Sequence, residues 1–213
     1  MPIETVIRKF DDDIVLVVHD EIECGRLRDG SPAILGLSRW SRDGRRRELV
    51  INEDIYEAEN APTRRRANFT MAHELGHCIE HLPLVQNRQS EAALLRTTTY
   101  VSLAPQLLSQ PWFKRKSARR KLSTPEQWRE WQANQFAAEL LMPAESVRSA
   151  FEQCYGCPLA PAKENTTVEE LSDQTARTIF EDEFGTSTSL VDRFDVNPQA
   201  MAYRLIALGL VSG

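Results

Sequence analysis

His73-Glu74-Leu75-Gly76-His77 constrains this chain more than any other segment. On an α-helix, residues four apart stand one above the other at about 6 Å, so His73 and His77 can aim two imidazoles at one point. Glu74 stands beside that point. Zinc accepts neutral imidazole nitrogens at about 2.0–2.1 Å, and a catalytic zinc keeps a position open for water. A carboxylate beside that water can take its proton as the oxygen attacks a carbonyl. The spacing therefore predicts a helix bearing a zinc site with its own general base, Glu74, which is the arrangement of a metallopeptidase.

The flanks predict a buried helix. Pro62 and Thr63 give a start signal, Arg64, Arg65 and Arg66 fall in the first turn, and Phe69, Ala72, Leu75, Gly76 and Ile79 recur at helical spacing. Three arginines at a helix N-terminus oppose the macrodipole, so they call for carboxylate partners or a later start. Gly76 costs helix stability, about 1 kcal/mol against alanine, and close approach of another backbone beside the metal would repay it.

A third ligand is needed, and the chain holds four histidines. His81 lies a further turn on, about 12 Å along the axis from His73, too far for all three to close on one ion. The metzincin pattern would require glycine at 80 and histidine at 83, where this chain has Glu80 and Pro83. His19 ends the apolar run Ile14–Val18 and reads as a polar strand end. A second helix offers more. Thr124-Pro125-Glu126-Gln127 combines a capping threonine, proline at the first helical position and glutamine three residues after the cap. The helix should run to about Pro143, with Glu130, Ala133, Asn134, Ala137 and Leu141 on one face. Glu130 then projects from a small and apolar stripe, where an unpaired carboxylate is costly and metal ligation removes the cost. Glu126 and Glu139 compete with it on the same helix.

The run Arg66-Ala67-Asn68-Phe69-Thr70-Met71-Ala72-His73-Glu74-Leu75-Gly76-His77, followed by Glu130-Trp131-Gln132-Ala133-Asn134-Gln135-Phe136-Ala137-Ala138-Glu139-Leu140-Leu141-Met142-Pro143, resembles the ImmA/IrrE family of zinc metallopeptidases. That family reads RxxFTxAHExGH and then ExxANxFAxxLLMP. The resemblance implies one zinc per chain held by His73, His77 and Glu130, with Glu74 as catalytic base, in a small gluzincin-like fold. It implies a protein substrate, a helix-turn-helix repressor whose cleavage relieves repression in a stress response or on a mobile element. It also leaves room for a rival: a non-hydrolytic, zinc-containing regulator that binds a repressor or antitoxin-like partner. One departure is the spacing. Glu130 lies 53 positions after His77, about twice the family's usual interval. The excess carries Lys114, Arg115, Lys116, Arg119, Arg120 and Lys121, which reads either as a solvated loop or as a recruiting surface for an acidic partner.

Residues 32–38 and 48–52 read as two strands joined through Ser41-Arg42-Asp43-Gly44, a hairpin signal, and an exposed edge there could take an extended substrate. Residues 190–210 read as a helical tail superficially like a helix-turn-helix. Residues 164–213 carry nine acids against three bases, which repels phosphate and argues against direct DNA binding. The expected architecture is α+β: a helix-rich metallopeptidase domain at 1–154 with a short antiparallel sheet, a linker at 155–167, and a C-terminal helical segment at 165–213.

With 41% hydrophobic residues the chain can bury a full core, and a net charge of −5 gives no general case for nucleic acid. No apolar run approaches a membrane span and the N-terminus shows no signal-peptide pattern, so a cytoplasmic protein is expected. Cys154-Tyr155-Gly156-Cys157 has CxxC spacing without a second pair to complete a structural zinc site, and ordinary reduced cysteines are expected. For oxyanion stabilisation the candidates are Tyr56, Tyr100, Tyr155 and Tyr203.

Overall fold

The computed structural model describes residues 3–10, 12–19, 35–40, 46–80, 100–101, 125–156, 168–181 and 185–211. Its elements in chain order are α1 (Ile3–Phe10), β1 (Ile14–His19), β2 (Gly36–Trp40), β3 (Arg47–Asn52), α2 (Glu53–Tyr56), α3 (Ala61–Glu80), β4 (Tyr100–Val101), α4 (Pro125–Leu141), α5 (Ala144–Tyr155), α6 (Val168–Arg177), β5 (Ile179–Glu181), β6 (Ser187–Ser189), α7 (Leu190–Phe194) and α8 (Pro198–Ala207). The described residues are thus helix-rich with a small mixed sheet, an α+β arrangement. None of their helices is long and apolar enough to cross a membrane.

The chain packs as two compact units, residues 1–137 and 138–213. That division falls inside α4, earlier than the break expected at 155–167. The reason is that α5 buries Val147, Ala150 and Phe151 in the core of the second unit.

In the first unit the strand order is β1-β3-β2-β4. β2 and β3 form the expected antiparallel hairpin, from Gly36 opposite Ile51 to Trp40 opposite Arg47. The expectation of a short antiparallel sheet is met by β2 with β3 and corrected at β1, which pairs with β3 in parallel from Ile14–Arg47 to His19–Asn52. β2 already takes one edge of β3, and the apolar β1 takes the other. β3 is therefore central, and Leu49, Val50 and Ile51 are each wholly buried, so both faces of the strand are covered. On its other edge β2 pairs with β4, Leu37 opposite Val101 and Ser38 opposite Tyr100. The edge expected to be open to an extended ligand thus carries, at those two positions, a strand of the chain itself.

α3 packs against β2 and β3. It starts earlier than Pro62-Thr63 suggest: Asn60 Oδ1 accepts from the Thr63 amide at 2.9 Å, and Ala61 is the first helical residue. The Arg64 amide makes the first backbone bond of the helix, to Asn60 O at 3.1 Å. The three arginines therefore follow the orphan amides of the first turn instead of lying among them, which lessens their conflict with the dipole.

The second unit buries Met142, Phe151, Leu171, Leu190, Met201 and Leu205 in one cluster. Asn197 caps α8 through the Gln199 amide at 2.9 Å, with Pro198 at the first helical position. Arg204 of α8, 5% exposed, makes a two-pronged ion pair with Glu139 and donates to Met142 O at 3.0 Å. The hairpin of β5 and β6 was not anticipated. Its strands are three residues each, one of them Ser-Thr-Ser, and carry little apolar alternation.

Candidate metal centre

α3 is buried almost without interruption from Ala67 to Cys78, and His73, Glu74 and His77 are 1%, 0% and 0% exposed. Gly76 is the position that makes this possible. A Cβ added there would lie 3.2 Å from Ala133 Cα and 3.2 Å from Phe136 Cβ, so α4 crosses α3 at this glycine. The close backbone approach expected of Gly76 is present.

The crossing delivers Glu130 to the two histidines. His73 Nε2 and His77 Nε2 are 3.1 Å apart. Glu130 Oε2 lies 3.3 Å from His73 Nε2, and Oε1 lies 3.2 Å from His77 Nε2. Bonds of about 2.0 Å at tetrahedral angles would separate neighbouring ligand atoms by about 3.3 Å. The two imidazole nitrogens thus stand at about the separation that a small tetrahedral cation requires, and each lies at a similar distance from one of the two carboxylate oxygens of Glu130. Ligand atoms of all three residues lie within 4.8 Å of one another, and the group could hold a metal ion.

The electrostatics couple the three side chains to one another. Burial pushes the Glu130 carboxyl upward, yet hydrogen bonds and charge from His73 and His77 hold it down at about 2. Burial pulls His73 down, and the Glu130 hydrogen bond with the charges of Glu74 and Glu130 raise it above the ordinary imidazole range. Glu130 Oε2 is nonetheless buried, 3.3 Å from His73 Nε2 but without well-formed hydrogen-bond geometry to it. An oxygen desolvated in this way is what a bound cation would satisfy.

Asn134, one turn beyond Glu130, faces the other side of the His73 ring, its Oδ1 3.1 Å from Nδ1. With the proton on Nδ1 donated to that amide, the Nε2 lone pair points at the cation position. Asn134 was expected on this face but not in this role, although its i+4 spacing from the carboxylate was the available signal. Glu74 is held differently. Ser38 Oγ donates to its Oε2 at 2.7 Å. Nothing in the sequence marks Ser38 for this, because the partners are 36 residues apart on a strand and a helix.

Of the competing glutamates, Glu139 is engaged by Arg204, and the Glu126 side chain lies outside the described residues. So do His81, Cys24, Cys157 and the basic run 114–121. Cys78 is a buried free thiol, pushed up to about 12 by burial, and Cys154 is also free. Tyr155 and Tyr203 belong to the second unit, where Tyr155 donates to Thr175 O at 3.2 Å and the Tyr203 hydroxyl accepts from Gln199 at 3.0 Å. Comparison with protein-family models yields no match, and neither does comparison with curated proteins.

Gly76→Ala sets helix propensity, worth up to about 1 kcal/mol in favour of alanine, against crowding of the α4 backbone. The two nearly offset in stability, but α4 must shift by a few tenths of an ångström and carries Glu130 with it. The expected result is a melting temperature within a few degrees of wild type and a metal affinity reduced about 10-fold, as for disturbed ligand support. Titration against a chelator checks it, and unchanged affinity would remove the link between the crossing and the site.

Proposed function

We propose that this chain is a zinc-dependent, site-specific endopeptidase of the ImmA/IrrE kind, acting in the cytoplasm on a helix-turn-helix repressor to relieve repression. The observation that carries the reading is the convergence of His73, His77 and Glu130 at 3.1–3.3 Å, with Glu74 adjacent on the same helix. Three protein ligands of the type His, His, Glu fit a catalytic rather than a closed structural zinc, because one tetrahedral position is left over. Bound zinc would supply a Lewis acid that polarises the scissile carbonyl and lowers the pKa of a water toward about 7.

The chain's own residues do the rest. His73, His77 and Glu130 hold and neutralise the cation, and Asn134 fixes the His73 tautomer. Glu74 accepts the proton of the attacking water and passes it to the amine leaving group, so that the peptide bond is exchanged for a carboxylate and an amine. Nine acids against three bases over residues 164–213 favour a protein partner over phosphate for that segment. A rival reading, a regulator that binds a repressor or antitoxin-like partner without cutting it, draws support from the complete burial of Glu74. Zinc content and product analysis with a candidate helix-turn-helix repressor separate the two: zinc-dependent fragments support the peptidase, and relief of repression with an intact repressor supports the regulator.

Acidification should release the metal. Glu130 stays ionised down to about 2, so the competing proton goes to histidine. Against the lowering effect of burial, Glu130 and Glu74 raise His73, so proton competition begins above the pH at which an ordinary histidine protonates and grows as pH falls. Chelator titrations at pH 8, 7 and 6 should show progressively weaker zinc binding. Equal affinity at all three would exclude imidazole ligation.

A further inference from the structure

We infer that Ser38 is a positioning residue for Glu74, acting from the sheet to fix where the base's carboxylate sits; this rests on the peptidase reading of Glu74. β2 presents Gly36 and Ser38 to α3, two residues apart and so on one face of the strand. They meet Thr70 and Glu74, four residues apart and so on one face of the helix. Ser38 is wholly buried, and its hydroxyl touches Glu74 twice, lying 2.7 Å from Oε2 and 2.9 Å from the main-chain oxygen. One donor thereby spans both ends of the same residue. That contact pins the side-chain rotamer to the helix backbone, where a free glutamate would sample several rotamers.

Gly36 supplies the space. A Cβ there would lie 2.7 Å from Thr70 Cγ2 and 3.1 Å from Glu74 Cγ, so any side chain at 36 would push against the stem of the base. Ser38 and Gly36 thus act together, one by attraction and one by absence, on a carboxylate adjacent in sequence to His73. The converging ligand atoms belong to His73, His77 and Glu130 and not to Glu74, so the effect on the base is separable from metal retention.

The test uses the full-length, zinc-loaded protein and acetohydroxamate, a small metal-binding acid whose proton needs a neighbouring base. Calorimetry should show Glu74→Gln weakening acetohydroxamate binding at least 10-fold, and Ser38→Ala weakening it about 5- to 10-fold, the size of one ordinary hydrogen bond. Zinc affinity should be unchanged in both. In the Glu74→Gln background, Ser38→Ala should add less than a 2-fold effect, a non-additivity that a merely structural serine would not produce. Ser38→Cys, close in shape but a weak donor, should fall between wild type and alanine, and it serves if the alanine variant folds poorly. If Glu74→Gln weakens binding while both Ser38 variants match wild type, the positioning role is overturned and the base stands. If zinc binds but acetohydroxamate binding ignores Glu74 as well, the reading of Glu74 as the base fails, and the role of Ser38 with it.

Discussion

Glu74→Gln should bind a cognate helix-turn-helix repressor and leave it whole. The wild type should yield two fragments in a zinc-dependent reaction, and the variant should be slower by about 10²–10⁴-fold, the usual contribution of a positioned general base. The size of the loss follows from chemistry, since an amide cannot take up the water's proton. Its selectivity follows from geometry. Glutamine keeps an oxygen that can accept from Ser38 in place of Oε2, so the fold should survive. The converging ligand atoms come from His73, His77 and Glu130 and not from position 74, so zinc should be retained. Mass spectrometry of the products, with zinc measured on the same preparations, checks all three statements. Equal relief of repression by wild type and variant, with the repressor intact, would show that hydrolysis is not the mechanism.

What could be read from the sequence was whatever a helix encodes locally. The spacing of His73 and His77 is a property of 3.6 residues per turn and needs no knowledge of the rest of the chain. The placement of Glu130 on a stripe with Ala133 and Ala137 is likewise local, and both alanines are wholly buried. Gly76 could be interpreted because a glycine inside a helix demands a neighbour. The features that escaped depend on pairing across the chain. The parallel docking of β1 on β3 joins strands 33 positions apart in register, and an apolar run such as Ile14–Val18 does not declare its partner or direction. Ser38 is one serine among many until β2 lies against α3. Asn60 was legible in principle as a helix cap, but Pro62 and Thr63 drew the start signal forward. The early division within α4 escaped for a related reason. A helix that is continuous in sequence and in its hydrogen bonds gives no local sign that its end packs in a different core.

Glu130→Ala should abolish tight zinc binding. Residues that merely support a ligand change metal affinity by about 10–100-fold when removed, so deleting a ligand itself should cost more, about 10³-fold. His73 and His77 alone would leave a tetrahedral ion with half its sites to water and with no anionic ligand. Two controls make the result specific. Asn134→Ala removes the acceptor at His73 Nδ1 and should fall in the lesser, 10–100-fold range. Glu139→Ala breaks the ion pair with buried Arg204, so it should lower thermal stability while zinc affinity stays at the wild-type value. Chelator competition on the four proteins, wild type included, ranks them. A Glu130→Ala protein that holds zinc as tightly as wild type would remove Glu130 from the ligand set, and a loss at Glu139 instead would move the third ligand to the glutamate that the structure ties to Arg204.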